Sequence, residues 1–188
     1  MGKYHGVIIE DDPDELRLSL EQSMRRHDYR VIAGRSEMPN RDGSRRIFVE
    51  FPSDLALLDS ITGHVIKRVG AAWSLPDDDL VALNIALSES LINAIKHGNN
   101  SEVSKLVRFT IEIAADEARF IVEDEGDGFN VDDIPHPRDP KHLFKPSGRG
   151  VLMIKSIMDE AEYNDHGNRL TMIKRRASLL QPMSENPL

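Results

Sequence analysis

The sequence predicts an α+β protein, a two-layer sandwich in which a mostly antiparallel sheet is covered on one face by helices. The predicted strands come in hairpin pairs, and the predicted helices are grouped between them. Regular alternation of single strands and helices would instead indicate a parallel sheet. The 188 residues, of which 39% are hydrophobic and 30% charged, suffice for one globular domain plus an extension.

The first 45 residues are predicted to form an extension of strand, helix and strand. Residues 6–9 have the apolar run of a buried strand, and Asp12-Pro13 provides the capping aspartate and first-turn proline of a helix. Tyr29–Ala33 predicts the second strand. A polar stretch with turn signals then leads into the main domain.

The main domain, residues 46–176, begins with a strand and two helices. Arg46–Phe51 alternates with period two, and Pro52-Ser53 is predicted to end this strand and to cap the first helix. The second helix begins after Pro76 with three aspartates, which favour the positive end of a helix. It extends to about Lys96, where His97-Gly98-Asn99 is predicted to stop it.

Two hairpins, a long loop and a short helix complete the chain. The first hairpin turns at Asp116-Glu117 and the last one at residues 165–168. Between them, residues 126–148 are rich in glycine, proline and aspartate and predict a long loop, which in compact domains is usually functional or mobile. A helix from about residue 150 follows this loop, and residues 177–188 are expected to be a flexible tail.

Charge and composition restrict the classes of function. The net charge is −8 and there are no cysteines, which excludes disulfides, thiolate catalysis and cysteine-bound zinc. An acidic chain gains little from phosphate-rich nucleic acid, and the basic cluster Lys174-Arg175-Arg176 is interpreted as a solvated strand end. No apolar run could span a bilayer, and the N-terminus is not a signal peptide. We therefore expect a cytoplasmic protein that binds neither nucleic acid nor membrane.

The second helix carries a polar stripe. Glu89, Asn93 and His97 are spaced i, i+4 and i+8, which predicts that they project from one helix face. Burying such a stripe without polar partners is costly, so it either faces water or meets partners. The spacing alone does not decide between these two interpretations.

Strand parity predicts a carboxylate that points inward. Phe120, Val122 and Asp124 share one strand face, so Asp124 points to the core if the two apolar residues do. A buried carboxylate needs a donor, either a ligand amine or a backbone N–H. Gly126 and Gly128 follow at alternate positions and let the backbone pass close to a bound group.

A glycine-rich turn, Ser147-Gly148-Arg149-Gly150, leads directly into the helix that follows the long loop. Free N–H groups at a helix N-terminus form an anion site. The segment lacks the lysine and serine or threonine that end a P-loop, and it opens no Rossmann crossover.

In this order, the three segments resemble the N, G1 and G2 boxes of the GHKL (Bergerat-fold) ATPases, which include gyrase and the histidine kinases. Ser88–Gly98, Val122–Phe129 and the segment from Ser147 to Glu160 are most similar to the anti-sigma-factor serine kinases. The resemblance covers residues 46–176 and implies a Bergerat sandwich that uses ATP and Mg²⁺.

The resemblance also implies a role for each matching residue. Glu89 would be the general base, Asn93 would provide an oxygen ligand to Mg²⁺, and Asp124 would accept the adenine amine. Residues 130–147 would form the ATP lid. The remaining candidate nucleotide contacts are Lys96, His97, Gly126, Gly128, Ser147, Gly148, Arg149, Gly150 and Thr171.

Three features of this chain differ from what other branches of the family, or related signalling proteins, carry. Histidine kinases usually carry asparagine where this chain has Glu89, and a carboxylate there favours serine transfer or hydrolysis. His64 lacks a phosphoacceptor context and is interpreted as an ordinary helix histidine. The N-terminal extension resembles the first third of a response-regulator receiver, or is an accidental strand–helix–strand. It lacks the later phosphoacceptor strand, so no receiver phosphorylation is expected.

Three functions are compatible with this reasoning. The first is an ATP-dependent serine kinase that phosphorylates an anti-anti-sigma protein of the STAS type and acts on a sigma factor. The second is a nucleotide-gated binding module that sequesters a sigma factor or another regulator with little catalysis. The third, a plain ATPase, ranks last because the chain lacks the transducer domain of gyrase-type enzymes. The resemblance also suggests a homodimer.

Overall fold

The computed structural model describes residues 6–10, 30–34, 45–129 and 149–176. Within these residues, seven strands form one sheet with the order β2-β1-β3-β4-β5-β7-β6. The strands are Gly6–Glu10 (β1), Arg30–Gly34 (β2), Arg45–Pro52 (β3), Leu106–Ile113 (β4), Glu117–Asp124 (β5), Glu160–Tyr163 (β6) and Arg169–Arg175 (β7). All neighbouring pairs are antiparallel except β1 and β2, which are parallel.

In the described part of the chain, the helical layer contains three α-helices. A 3₁₀ turn at Leu55–Leu57 leads into α1, Leu58–Trp73, which is followed by α2, Asp77–Asn93. A π-helical turn at Ala94–Gly98 continues α2, and α3, Arg149–Ile157, precedes the last hairpin.

Alternating burial divides the sheet into an apolar and a polar face. Along β5, Ala118, Phe120 and Val122 are buried, and the register places Phe120 beside Ile111 and Met172. The apolar sides of α1 and α2 complete the same core, so the helices cover one face of the sheet. The predicted α+β sandwich is confirmed, as are both hairpins of the main domain.

The opposite face of the sheet carries a cluster of charges around Arg108. Its Nε donates to Glu50 at 2.7 Å, and its terminal nitrogens lie 3.5 Å from Glu123 and 3.1 Å from Glu125. The hydrogen bond to Glu50, helped by the charges of the three carboxylates, raises the pKa of Arg108. Because these groups are partly exposed, each pair contributes little to stability.

The start of the first helix differs from the prediction. Asp54 provides the cap, since its Oδ1 accepts a hydrogen bond of 2.9 Å from the N–H of Ala56. The Oγ of Ser53 instead donates to the carbonyl of Lys105 at 2.9 Å. The prediction that Pro52-Ser53 caps the helix is therefore wrong, because the Ser53 hydroxyl binds the segment before β4.

The basic cluster near the end of β7 is also not uniformly solvated. Lys174 is buried, and its Nζ donates to the carbonyl of Ile157 at 2.7 Å and lies 3.6 Å from the Asp159 carboxylate. It thereby binds the C-terminal end of α3, where a cation is favoured. Arg175 remains exposed and pairs with Glu160. The solvated interpretation is wrong for Lys174.

The N-terminal strands belong to the same sheet as the main domain. β1 pairs with β3 on one side and with β2 on the other, which leaves β2 at the sheet edge. The helix predicted after residue 12, most of the long loop and the tail lie outside the described residues. The domain boundary at residue 45 and the receiver resemblance stay predictions. In the described part of the chain, no helix combines the length and apolarity that crossing a membrane requires.

Removal of the Asp54 cap is expected to destabilise the protein. Asp54→Ala leaves the N–H of Ala56 without its side-chain acceptor, which typically costs about 0.5–2 kcal/mol. Asp54→Asn is the matched control, because asparagine caps as well as aspartate. Urea denaturation measures both free energies of unfolding. Equal losses in the two variants would contradict the assignment of a cap.

Candidate functional site

The candidate site begins at the C-terminal end of α2. Its core side is apolar, whereas Glu89 and Asn93 are half-buried on another side. After Asn93 the helix widens into the π-helical turn, closed by a 2.8 Å bond from the N–H of Asn99 to the carbonyl of Ala94. His97 therefore leaves the α-helical register, and it is exposed together with Lys96. The predicted three-residue stripe is correct only as far as Asn93.

Glu89 and Asn93 meet the first turn of α3 at Gly150. A Cβ atom placed on Gly150 would lie 2.7 Å from Oε2 of Glu89 and 3.4 Å from Nδ2 of Asn93. A side chain at this position would force the end of the Glu89 side chain to shift, so glycine lets the backbone of α3 lie directly beside both side chains. The first N–H groups of a helix have no intrahelical partner and attract anions. A carboxylate, an amide and an anion-attracting helix end are thus brought together, although they are separated in sequence.

Asp124, the last residue of β5, points toward the core as its parity predicts. It is buried, and its Oδ1 accepts a hydrogen bond of 2.9 Å from the N–H of Gly126. Burial raises the pKa of the Asp124 carboxyl above its ordinary value of 3.8, and the Gly126 N–H opposes this rise. The backbone donor is one of the two alternatives left open by the sequence. A carboxylate has about four acceptor positions, so this bond does not exclude a ligand amine.

Two glycines allow the end of α2 to press against Asp124. A Cβ atom on Gly98 would come under 3.0 Å from the Asp124 carboxyl group, and one on Gly126 would come equally close to the carbonyl of Gly98. Real Cβ atoms essentially never approach so closely. Gly128 adopts a φ of 71°, a left-handed conformation that favours glycine. The π-helical turn and the segment after β5 are therefore in direct contact at Gly98 and Gly126.

The hairpin of β6 and β7 holds Asp124 from the other side. The N–H of Asp124 donates to the carbonyl of Asn168 at 3.0 Å, and Nδ2 of Asn168 donates to the carbonyl of Asp124 at 3.2 Å. Oδ1 of Asn164 accepts hydrogen bonds from the N–H groups of Asn168 and Arg169. The turn is thus fixed by two asparagine side chains and in turn fixes the end of β5.

An aromatic pair lies next to this carboxylate. The rings of Phe129 and Tyr163 pack edge to face with their centroids 4.9 Å apart. Burial, together with the negative charge of Asp124, raises the pKa of Tyr163 to about 12. The Tyr163 hydroxyl is therefore protonated at neutral pH. Tyr163 enters the sequence pattern only as part of the last hairpin, and its role beside Asp124 was not predicted.

Not every candidate residue can be placed at the site. Ser147, Gly148 and the side chain of Arg149 lie outside the described residues. Thr171 pairs with Ile121, which lies on the opposite face of β5 from Asp124. This position argues against Thr171 as a nucleotide contact, and we leave it out of the proposed set. Its alternation with the buried Leu170 and Met172 in β7 agrees with this position.

Asn99 is the main residue of the site that the sequence reasoning missed. It was interpreted only as part of the signal that ends the helix. Its side chain is fully buried and binds Ser53, Leu106 and Glu125, which are 46, 7 and 26 residues away in the chain. Because these partners are distant in sequence, periodicity gives no signal for such a residue.

A family model of the histidine kinase-like ATPase domain matches residues 51–174, about two thirds of the chain. The chain belongs to this family. The serine-protein kinase RsbW of Staphylococcus epidermidis is 30% identical over 129 residues, which cover 64% of this chain and 78% of that protein. RsbW of Staphylococcus aureus strain JH9 is 31% identical with the same coverage. The resemblance to GHKL proteins and their serine kinase branch is confirmed.

The residues present suit the nucleotide that this ATPase family implies. The Asp124 carboxylate is a buried acceptor that keeps acceptor positions beyond its bond to Gly126, and only glycine backbone flanks it at Gly98 and Gly126. Among the described residues, no cluster of three His, Cys, Asp or Glu side chains could hold a metal alone. A single amide oxygen, from Asn93, is compatible with Mg²⁺, which usually takes its other ligands from phosphates and water.

Gly98→Ala is expected to destabilise the protein. The new methyl group would displace the Asp124 carboxyl from the N–H of Gly126, and such overpacking costs about 1–3 kcal/mol. Gly63→Ala in α1 is the control, because nothing lies within 4 Å of its Cβ position. That control should stabilise the protein by about 0.5–1 kcal/mol. Thermal or urea unfolding measures both, and a harmless Gly98→Ala would contradict the close packing.

Proposed function

We propose that the protein is an ATP-dependent serine kinase and anti-sigma-type regulator that phosphorylates a STAS-type antagonist in a partner-switching pathway. The observation that supports this most is the convergence of Glu89 and Asn93 on the N-terminus of α3 at Gly150. The similarity to serine-protein kinases supports the reaction class.

The adenine end of the site would be formed around Asp124. In the proposal, the Asp124 carboxylate accepts the exocyclic amine of adenine, while Gly98 and Gly126 let the backbone lie against the base. A carboxylate discriminates well here, because the corresponding position of guanine is a carbonyl oxygen that a carboxylate repels. This role is supported by burial of the carboxylate and by the spare acceptor positions left after the Gly126 bond.

The catalytic end would be formed by Glu89, Asn93 and the first turn of α3. Bound ATP with Mg²⁺ would supply the phosphoryl group and a cation to neutralise its charge. Glu89 would take the proton from a serine hydroxyl as that oxygen becomes a nucleophile. Oδ1 of Asn93 would face the cation, and the N–H groups of α3 would bind phosphate oxygens. Lys96 and His97, both exposed on the π-helical turn, could add positive charge nearby.

Partners follow from the same proposal. A serine on a STAS-type protein would be the phosphate acceptor, a sigma factor would be the second protein ligand, and a homodimer would be the assembly. The alternative is a nucleotide-gated binding module that captures its partner without transferring phosphate. Glu89 separates these two functions, because a general base is needed only for transfer.

Glu89→Gln is expected to slow phosphate transfer strongly while ATP still binds. Loss of a general base typically reduces the rate by ~10²–10⁴. The assay incubates the protein with labelled ATP, Mg²⁺ and candidate STAS-domain proteins, and calorimetry measures the ATP affinity. Glu162→Gln, an exposed glutamate on β6, is the matched control and should behave like the unchanged protein.

The assay has two outcomes that count against the kinase. No label on any partner, with tight ATP binding, would favour the binding module. The same conclusion follows if Glu89→Gln loses no turnover and partner capture is unchanged.

Asp124→Asn is expected to weaken nucleotide binding and to increase the stability of the nucleotide-free protein. The change removes a charged acceptor from the adenine amine, a hydrogen bond worth about 1.5–3 kcal/mol, so ATP should bind roughly 10- to 100-fold more weakly. Because burial raises the pKa of Asp124, its charged form lowers the free energy of unfolding at neutral pH. This loss of stability disappears as the pH falls through the raised pKa toward 3.8. Without nucleotide, Asp124→Asn should therefore be more stable than the unchanged protein at pH 7, with a smaller difference at pH 4.

Calorimetry with ATP and urea denaturation at both pH values measure these two effects. Asp116→Asn, in the exposed turn between β4 and β5, is the control and should change neither. An Asp124→Asn variant with full ATP affinity would overturn the adenine-binding role.

A further inference from the structure

The side chain of Asn99 joins four separate segments of the site. Its Nδ2 donates to Oγ of Ser53 at 2.8 Å and to the carbonyl of Leu106 at 2.9 Å, and its Oδ1 accepts a 2.7 Å bond from the N–H of Glu125. The side chain therefore connects the end of β3, the start of β4 and the residue after β5. Its own backbone closes the π-helical turn after α2.

The Asn99 side of each of these hydrogen bonds is out of contact with water. Asn99 is 0% exposed and Ser53 is 2% exposed, so neither amide nor hydroxyl can exchange its partners for solvent. Removing one partner from such a buried network leaves polar groups unsatisfied, whereas the intact network fixes the groups that it joins. The Asn99 side chain is thus a buried connection between these segments, not an exposed residue at a helix end.

The bond to Glu125 reaches the proposed adenine site within two residues. Asp124 precedes Glu125, and Gly126, which donates to the Asp124 carboxylate, follows it. On the other side, Gly98 precedes Asn99 and lies against the same carboxylate. Asn99 therefore sets the spacing between the two backbone segments that confine Asp124.

We propose that Asn99 is a positioning residue for base selection, which holds Glu125 and Gly98 so that the Asp124 carboxylate is aligned for an adenine amine. This inference rests on the proposed function, because it assigns no contact between Asn99 and the nucleotide. It predicts that Asn99 acts on the choice of base more than on overall binding. A purely structural role would reduce stability and leave the preference for ATP over GTP unchanged.

The test compares the dissociation constants of ATP and GTP for the full chain by calorimetry. Asn99→Ala should weaken ATP binding about tenfold and leave GTP binding within about twofold, so that the ATP preference falls about tenfold. Val69→Ala in α1 is the control, since it removes buried apolar atoms away from the site and should lower stability without changing the preference. An Asn99→Ala variant that folds and keeps the full ATP preference would overturn the inference.

Ser53→Ala provides a second test if Asn99→Ala does not fold. It removes one acceptor of Asn99 Nδ2 without altering Asn99 itself, so it should loosen the link only partly and lower the ATP preference about twofold to fivefold. An unchanged preference in folded Ser53→Ala would then reject the positioning role.

Asp124→Asn distinguishes a failure of the proposed adenine site from a failure of the positioning role. If it leaves ATP affinity unchanged, the adenine role of Asp124 fails; if it weakens ATP while the Asn99 and Ser53 variants do not alter the preference, only the positioning role fails.

Discussion

The constraint on which the site depends is the burial of the Asp124 carboxylate between two glycine backbones. A buried acid must be compensated, and the N–H of Gly126 provides only part of that compensation while burial still raises the pKa of Asp124. The close approach of Gly98 prevents the carboxylate from turning away. The remaining features of the site, including the π-helical turn and the β6–β7 turn that is fixed by two asparagine side chains, hold this arrangement in place.

The arrangement also explains why the two ends of the site lie on one helix. The α-helical part of α2 presents Glu89 and Asn93 to Gly150, and the π-helical turn then brings Gly98 against Asp124. A regular helix could not serve both purposes in the same register, since the widened turn changes the direction in which the last residues point. Local departures from regular helices often occur at functional sites for this reason.

The sequence predicted the fold well because most of its elements have local signals. Alternation in β3 to β5, the aspartates at the start of α2 and the glycine-rich turn before α3 depend on neighbouring residues only. The errors concern long-range contacts. Ser53 appeared free to cap a helix because Lys105 and Asn99, its actual partners, lie about fifty residues away. Lys174 appeared solvated for a similar reason, since Ile157, whose carbonyl accepts from its Nζ, is 17 residues away.

The central claim is that an adenine nucleotide binds between α2, the segment after β5 and the N-terminus of α3. A crystal structure with Mg²⁺ and a non-hydrolysable ATP analogue tests it most directly. The account predicts the adenine amine within hydrogen-bonding distance of the Asp124 carboxylate, the metal on Oδ1 of Asn93, and the terminal phosphate between Glu89 and Gly150. A nucleotide bound elsewhere, or an adenine ring that does not approach Asp124, would contradict it.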